Sequence, residues 1–290
     1  MTTRQEQTMR TVALFGRPLQ RRHSAVMHNA AFEAAGVDAR YELREVDENA
    51  LADQVAEARR DAWMGFQITA PYKLLVMDLL DEIEPGARAI GAVNSVATAP
   101  DGRLVGFNTD VVGFMAGVQD CLGDDVKGRS VVVAGSGGVG HAAVYGLATA
   151  GAGRLTVLDL DADMPRRLAN DLGDAASIEP LAFDDPRARD RLADTDLFVN
   201  ATSVGMLSPG PVVDVDLIRP SAAVFDVVYI PSETELVRRA RARGMRASNG
   251  DGMLVAQAAA AWCRWTGLPD PSETMRRAVA PLLAEGDPRP

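Results

Sequence analysis

The sequence predicts two α/β domains with open sheets, the strands largely parallel and helices between them. Three observations carry this. Short β-rich apolar runs alternate with helical stretches along most of the chain. One such run, Ser130-Val131-Val132-Val133-Ala134, leads directly into Gly135-Ser136-Gly137-Gly138-Val139-Gly140. A length of 290 residues suffices for two domains that each bury a core. In order, residues 11–15 read as a strand closed by Gly16, and Ser24 stands as an N-cap before a helix over 25–35 that Gly36 stops. Tyr41, Leu43 and Val46 mark a rough strand, 50–60 a second helix and 65–69 the next strand. Residues 111–129 carry mixed helix and loop signals, Gly117, Gly123 and Gly128 among them, and the first boundary falls near residue 113. The rhythm resumes with a strand over 130–134, the glycine turn, a helix over 141–150 and a strand over 155–158. Runs 197–200 and 223–228 look like further parallel strands, and no repeat of fixed period is present.

A lone GxGxxG is a weak signal. Here a strand precedes it, a helix follows and Asp159 ends the next strand, the pattern of a dinucleotide-binding βαβ unit. Gly135 permits the tight turn, Gly137 lets the backbone approach a pyrophosphate, and the helix N-terminus supplies free N–H groups and a favourable dipole. A carboxylate at Asp159 would accept hydrogen bonds from the adenosine ribose and repel a 2′-phosphate. No arginine follows it, only Leu160 and Asp161. The turn therefore predicts NAD, with NADP the poorer fit; the plainer reading of Asp159 alone is a capping or solvated loop acid.

Composition excludes several other classes. With 47% hydrophobic and 24% charged residues the chain is an ordinary globular protein rather than a disordered one. A net charge of −10 argues against a nucleic-acid partner, and the densest basic run, Arg238-Arg239-Ala240-Arg241-Ala242-Arg243, reads as a solvated helix face. Cys121 and Cys263 lie far apart without a CxxC and read as reduced core residues of a cytosolic protein. His23, His28 and His141 have no partners at metal-ligand spacing, so zinc chemistry and a Ser/His/Asp triad both lack parts. Residues 1–10 are polar and carry no secretory signal, and the nearly apolar stretch 253–263 is too short to span a bilayer.

The acid/base chemistry stands upstream of the glycine turn. Lys73 closes Gln67-Ile68-Thr69-Ala70-Pro71-Tyr72-Lys73, and Asp110 closes Gly106-Phe107-Asn108-Thr109-Asp110. An ammonium beside a carbonyl oxygen can deliver a proton as hydride arrives at the carbon, and a neighbouring carboxylate favours the charged amine while burial opposes it. Taken singly, Lys73 is a surface lysine and each candidate polar residue a structural one; only the joint pattern says otherwise.

That pattern extends to Arg22-His23-Ser24-Ala25, Gly91-Ala92-Val93-Asn94-Ser95, Asn200-Ala201-Thr202-Ser203, Asp226-Val227-Val228-Tyr229 and the run from Asn249-Gly250-Asp251 to Gln257. In order and spacing the chain resembles the shikimate/quinate dehydrogenase family over nearly its whole length. The resemblance implies a discontinuous substrate domain, residues 8–112 closed by C-terminal helices over 249–290, and a Rossmann-type nicotinamide domain over 113–248. It implies Lys73 as general acid/base with Asp110 as its partner. Arg22, Ser24, Thr69, Asn94, Asp110, Tyr229 and Gln257 would bind substrate. Gly135, Ser136, Gly137, Gly138, Val139, Asp159, Thr202, Val227 and Gly250 would bind the cofactor, with no metal. The implied activity is NAD-dependent interconversion of the C3 alcohol and ketone of shikimate or quinate, in the cytoplasm, by a monomer or homodimer.

The departures from the family pattern fall where the substrate carboxylate binds. Arg22 replaces the first of two serines, Ala25 replaces a proline, and Gln67 replaces the asparagine of N-V-T. Arg22 either offers a bidentate fork to an acid or points into solvent. Two alternatives follow: a paralogue acting on another alicyclic hydroxy or amino acid, such as an aminoshikimate, and a metabolite sensor without turnover. The presence of both Lys73 and Asp110 argues against the sensor.

Overall fold

The strands over 65–68, 130–134, 197–200 and 223–226 are buried along nearly their whole length, as in sheets covered on both faces. The computed structural model describes residues 9–173 and 176–285; these divide into one unit of 9–109 with 258–282 and another of 110–257 with 283–285. The cuts fall between Thr109 and Asp110 and between Gln257 and Ala258, against 112/113 and 248/249 expected from the sequence. The first eight residues of the polar N-terminus and the last five of the C-terminal segment lie outside the described residues.

The first unit holds β1 (Arg10–Gly16), α1 (His23–Ala34), β2 (Ala39–Glu45), α2 (Leu51–Arg60), β3 (Gly65–Ile68), β4 (Glu82–Ile83), α3 (Pro85–Ile90), β5 (Ser95–Thr98) and β6 (Leu104–Phe107). The sheet order is β2-β1-β3-β5-β6-β4. β1 runs parallel to β2 and β3, but β5 is antiparallel to both β3 and β6, so this sheet is mixed. The β5–β6 hairpin has no counterpart among the strands read from the sequence. Its turn is built on Asp101, which accepts the Arg103 backbone N–H at 3.2 Å, and on Gly102 in the left-handed region. One face packs Phe15 on Phe66 with ring centroids 5.2 Å apart and on Trp63 at 6.1 Å. Two C-terminal helices, α9 (Asp251–Thr266) and α10 (Ser272–Glu285), supply residues 258–282 to this unit. Trp265 Nε1 donates to the Val96 carbonyl of β5 at 2.9 Å, and a Cβ on Gly65 would lie 2.1 Å from that same oxygen. Glycine at 65 is therefore what admits the tryptophan.

The second unit holds α4 (Asp110–Leu122), β7 (Ser130–Ala134), α5 (Gly138–Thr149), β8 (Arg154–Asp159), α6 (Asp163–Leu172), β9 (Ile178–Ala182), α7 (Pro186–Ala193), β10 (Leu197–Asn200), β11 (Ala223–Asp226), α8 (Glu235–Ala242) and β12 (Ala247–Ser248). All strands run parallel in the order β12-β11-β10-β7-β8-β9. Strand order reverses between β7 and β10, the switch point at which an open α/β sheet receives a ligand. Phe114 of α4 meets Phe225 edge-on at 5.7 Å on one face, while Phe198, Val224 and Leu236 fill the other.

Several helix limits differ from those expected. α1 begins at His23, so Ser24 lies inside it, and Arg22 occupies the N-cap position without a side-chain cap bond. Within residues 111–129 the helix signal is realised as one continuous helix, 110–122, and the loop signal as residues 123–129. The two glycines in that helix serve close packing: a Cβ on Gly117 would lie 2.5 Å from the Phe225 ring, and one on Gly113 would lie 2.7 Å from the Met253 carbonyl. α5 starts at Gly138, three residues before His141. The basic run of α8 is paired locally, Arg238 and Arg239 with Glu235 at 2.8 and 2.6 Å and Arg241 with Glu233 at 3.1 Å. Among the described residues, no helix is long and apolar enough to cross a membrane.

Candidate active site

In the first unit three sequence motifs converge at one end of the sheet. β3 leads to Thr69 and Lys73, β5 starts just after Asn94, and β6 ends just before Asn108 and Thr109. Because β5 is antiparallel, Gln67 faces Ser95 and Ser95 faces Phe107 in register, which brings the ends of all three strands together. The joins are hydrogen-bonded. Ile68 N–H donates to the Asn94 carbonyl and Val93 N–H to the Lys73 carbonyl, each at 2.9 Å. Asn94, 5% exposed, accepts the Thr109 N–H on Oδ1 at 2.8 Å and donates from Nδ2 to the Thr109 hydroxyl at 3.1 Å. Asn108 Nδ2 donates to the Ala92 carbonyl at 2.9 Å. Asp110, also 5% exposed, is the next residue and opens α4. Lys73 and Thr69 are half-buried.

A second polar group in this unit lies across β1. Tyr41 of β2 opposes Val12 and Gln67 of β3 opposes Leu14, so both side chains stand on the same face of the sheet. The buried Tyr41 hydroxyl donates to Gln67 Oε1 at 2.5 Å, and Gln67 Nε2 donates to the Ser95 hydroxyl at 3.3 Å. The His28 ring stacks on Tyr41 at 4.5 Å and meets Trp265 at 5.1 Å. Burial drives the His28 pKa down to about 3, the nearby Gln67 carboxamide offsetting part of the shift, so this ring is neutral. Burial likewise pushes the Tyr41 phenol far up, against a hydrogen bond from Ser24. Ser24 therefore joins the group from inside α1, whereas Arg22 is exposed. Sequence reading had given Tyr41 only a strand position and His28 no role. The available signal was a tyrosine and a glutamine on neighbouring strands, but their alignment depends on the sheet order.

His28 has a consequence for stability. Unfolded, it takes up a proton near its ordinary value of 6.5; folded, it does so only near 3. Stability is therefore lost as pH falls from about 6.5 toward 3, at roughly 1.4 kcal/mol per pH unit from this group. His28→Phe, which keeps a ring against Tyr41, is expected to flatten that acid limb in denaturant titrations between pH 7 and 5. An unaltered slope would assign the acid sensitivity to other groups.

In the second unit the glycine turn lies over the end of β7. Gly135 has φ +101°, and a Cβ there would lie 2.9 Å from Thr202 and 3.0 Å from the Ala201 carbonyl. A Cβ on Gly140 would lie 2.3 Å from the Gly135 carbonyl, so glycine there sets the close approach of α5 to the turn. Gly137 and Gly138 are exposed with open space where a Cβ would be, at the N-terminus of α5. That combination of tight and open glycines fits a pyrophosphate. Asp159 accepts the Ser136 N–H at 2.9 Å and the Leu160 N–H at 2.7 Å, and is hydrogen-bonded by the Ser136 hydroxyl, which ties its carboxylate to the turn. Leu160 beside it is 88% exposed. Thr202 donates its hydroxyl to Asn200 Oδ1 at 2.6 Å, and Val227 N–H donates to the Asn200 carbonyl at 3.0 Å. Gly250 N–H donates to the Val228 carbonyl at 3.1 Å, and a Cβ there would lie 2.1 Å from the Val227 carbonyl. Thr202, Val227 and Gly250 are thus brought to the ends of β10 and β11. Tyr229 follows in the same loop, half-buried, and Gln257 lies on α9 where its Cβ packs at Gly113. Val139 stands half-buried in the first turn of α5. Among the described residues no cluster of His, Cys, Asp and Glu could hold a metal ion.

Residues 14–96 match the model of the shikimate dehydrogenase substrate binding domain. Over 283 residues the chain is 40% identical to a shikimate dehydrogenase (NADP(+)) of Geobacter sp. (strain M21), covering 95% of this chain and 96% of that one. The chain belongs to the shikimate/quinate dehydrogenase family. Among solved structures, quinate dehydrogenase from Corynebacterium glutamicum in complex with NAD superposes with a TM-score of 0.88 at 35% identity, covering 94% of this chain and 99% of that one. The ligand-free 5-ketofructose reductase of Gluconobacter sp. strain CHM43 superposes with a TM-score of 0.85 at 33% identity, covering 94% and 98%.

Proposed function

We propose that the protein is an NAD-dependent oxidoreductase that interconverts the C3 hydroxyl and ketone of shikimate, quinate or a close alicyclic acid. The observation that carries the reading is the convergence of the Thr69–Lys73, Asn94 and Asn108–Thr109 segments on one end of the first sheet. A bound nicotinamide supplies or accepts the hydride. Lys73 donates the proton to the C3 oxygen when the ketone is reduced and takes it back in the reverse direction, with Asp110 as its partner. Asn94 and Asp110 bind ring hydroxyls, and Arg22, Ser24, Thr69, Tyr229 and Gln257 complete the substrate contacts. Residues 8–112 with 249–290 form the substrate domain and 113–248 the cofactor domain in this reading. The relative from Geobacter is named for NADP(+), whereas the structure of the Corynebacterium enzyme contains NAD. The sequence Asp159-Leu160-Asp161 and the anchored Asp159 carboxylate support NAD here.

One observation favours a second reading of the substrate. Gln67 already accepts the Tyr41 hydroxyl, His28 is neutral and Arg22 is exposed, so the polar group across β1 offers uncharged donors and acceptors. Such a group also suits a neutral polyhydroxy ketone, the substrate class in the name of the Gluconobacter relative. Initial rates with shikimate, quinate, an aminoshikimate and 5-ketofructose decide between the two. The expected result is a kcat/KM for an alicyclic acid at least about tenfold above that for the neutral ketone, corresponding to one charge-assisted hydrogen bond. A higher value for the ketone would establish the second reading, and turnover of none of them would contradict both.

A further inference from the structure

Asp226 ends β11 with its carboxyl group fully buried. Oδ1 accepts from Asn200 Nδ2 at 2.9 Å and from the Val228 N–H at 3.1 Å, and Oδ2 accepts from the Thr234 hydroxyl at 2.6 Å. Asn200, directly paired with Asp226 across β10 and β11, also shapes the loop after β10. Its Nδ2 donates to the Val204 carbonyl at 3.0 Å, and its Oδ1 accepts the Thr202 N–H at 3.0 Å and the Thr202 hydroxyl. Thr234 in turn caps α8 through the Val237 N–H at 3.3 Å. One carboxyl group therefore joins two strand-end loops to the start of a helix.

These three donors are neutral, and burial raises the Asp226 pKa to about 6. An ionised carboxylate held in this way lowers stability relative to a neutral group of the same shape. An amide oxygen would still accept from Asn200 and Val228, but its NH2 would face the Thr234 hydroxyl, which now donates to Oδ2, and would take away that acceptor. The three donors satisfy the carboxylate oxygens but, being neutral, leave the negative charge without a counter-charge among them.

The sheet order supplies one. β8, which carries Asp159, lies on one side of β7, and β10 and β11 lie on the other. A dinucleotide crossing this switch point places its adenosine half over β8 and its second half over the ends of β10 and β11. In a nicotinamide dinucleotide that second half carries a ring that is cationic when oxidised and neutral when reduced.

We propose that Asp226 is a positioning residue for the nicotinamide ring: its buried carboxylate holds the loops after β10 and β11, and its negative charge favours the oxidised cofactor over the reduced one. The inference rests on the reading that the chain binds a nicotinamide dinucleotide. The test is calorimetric titration of the parent and Asp226→Asn with the oxidised and reduced forms of NAD and NADP and with ADP-ribose, alongside thermal melting. The variant is expected to fold and to bind ADP-ribose equally well. For the preferred cofactor, the ratio of oxidised to reduced dissociation constants should rise on the order of tenfold. An unchanged ratio overturns the proposal, even if both forms bind more weakly, because loop disorder alone weakens them together. A variant that does not fold also overturns it, since the carboxylate would then be structural. If the parent itself binds neither dinucleotide nor ADP-ribose, the cofactor reading fails first.

Discussion

Lys73→Ala is expected to lower kcat by roughly 10² or more while leaving cofactor affinity nearly unchanged. Lys73 follows β3 by a short turn, and its carbonyl accepts the Val93 N–H at 2.9 Å, so the backbone that presents the ammonium is tied to the segment that presents Asn94. Alanine removes the proposed proton donor without disturbing that bond. Asp110→Asn is expected to reduce turnover and also to raise KM, because the proposed mechanism makes the carboxylate both the partner of Lys73 and a ligand of a substrate hydroxyl. Stopped-flow and steady-state rates on the best substrate check both variants. Near-parental turnover in Lys73→Ala would remove that residue from the mechanism, and a pure KM effect in Asp110→Asn would leave it a binding role only.

Cofactor choice is the second large effect. NADP binding would place a phosphate beside the Asp159 carboxylate and forfeit ribose hydrogen bonds to a charged acceptor, which contribute about 1.5–3 kcal/mol each. NAD should therefore exceed NADP in kcat/KM by about one to two orders of magnitude. Replacing Asp159 by Ser and the exposed Leu160 by Arg removes the repulsion and supplies a phosphate partner, so the preference should narrow or reverse. Part of the variant's effect will fall on both cofactors, since Asp159 also holds the Ser136 N–H of the glycine turn at 2.9 Å. The ratio of the two kcat/KM values isolates the phosphate from that shared loss. Equal or better use of NADP by the parent would withdraw the role given to Asp159 and align the chain with its NADP-named relatives.

What was legible in the sequence was local. The glycine turn could be read because each of its positions answers a short-range demand: a positive φ at Gly135, a close approach at Gly140, an exposed helix start at Gly137 and Gly138. The β5–β6 hairpin carried a usable signal in Asp101-Gly102, which binds and turns its own backbone, yet the flanking runs are only four residues each and resemble loop. α4 was obscured by Gly113 and Gly117, whose low helix propensity is outweighed by contacts with Met253 and Phe225 far along the chain. The same holds for the polar groups. Tyr41 with Gln67, and Asp226 with Asn200 and Thr234, become partners only once strand order and register are known. Contiguous motifs are legible in the sequence more readily than partners that only strand order and register bring together.

Hydride transfer at C3 can be followed most directly with substrate deuterated at that carbon. Shikimate and quinate labelled at C3 are incubated separately with the protein and NAD, and the cofactor is then analysed by mass spectrometry and NMR. For at least one of them the account predicts reduced cofactor carrying one deuterium at nicotinamide C4, formed more slowly than from unlabelled substrate if hydride transfer limits the rate. Reduced cofactor without deuterium, or none formed from either acid, would contradict it.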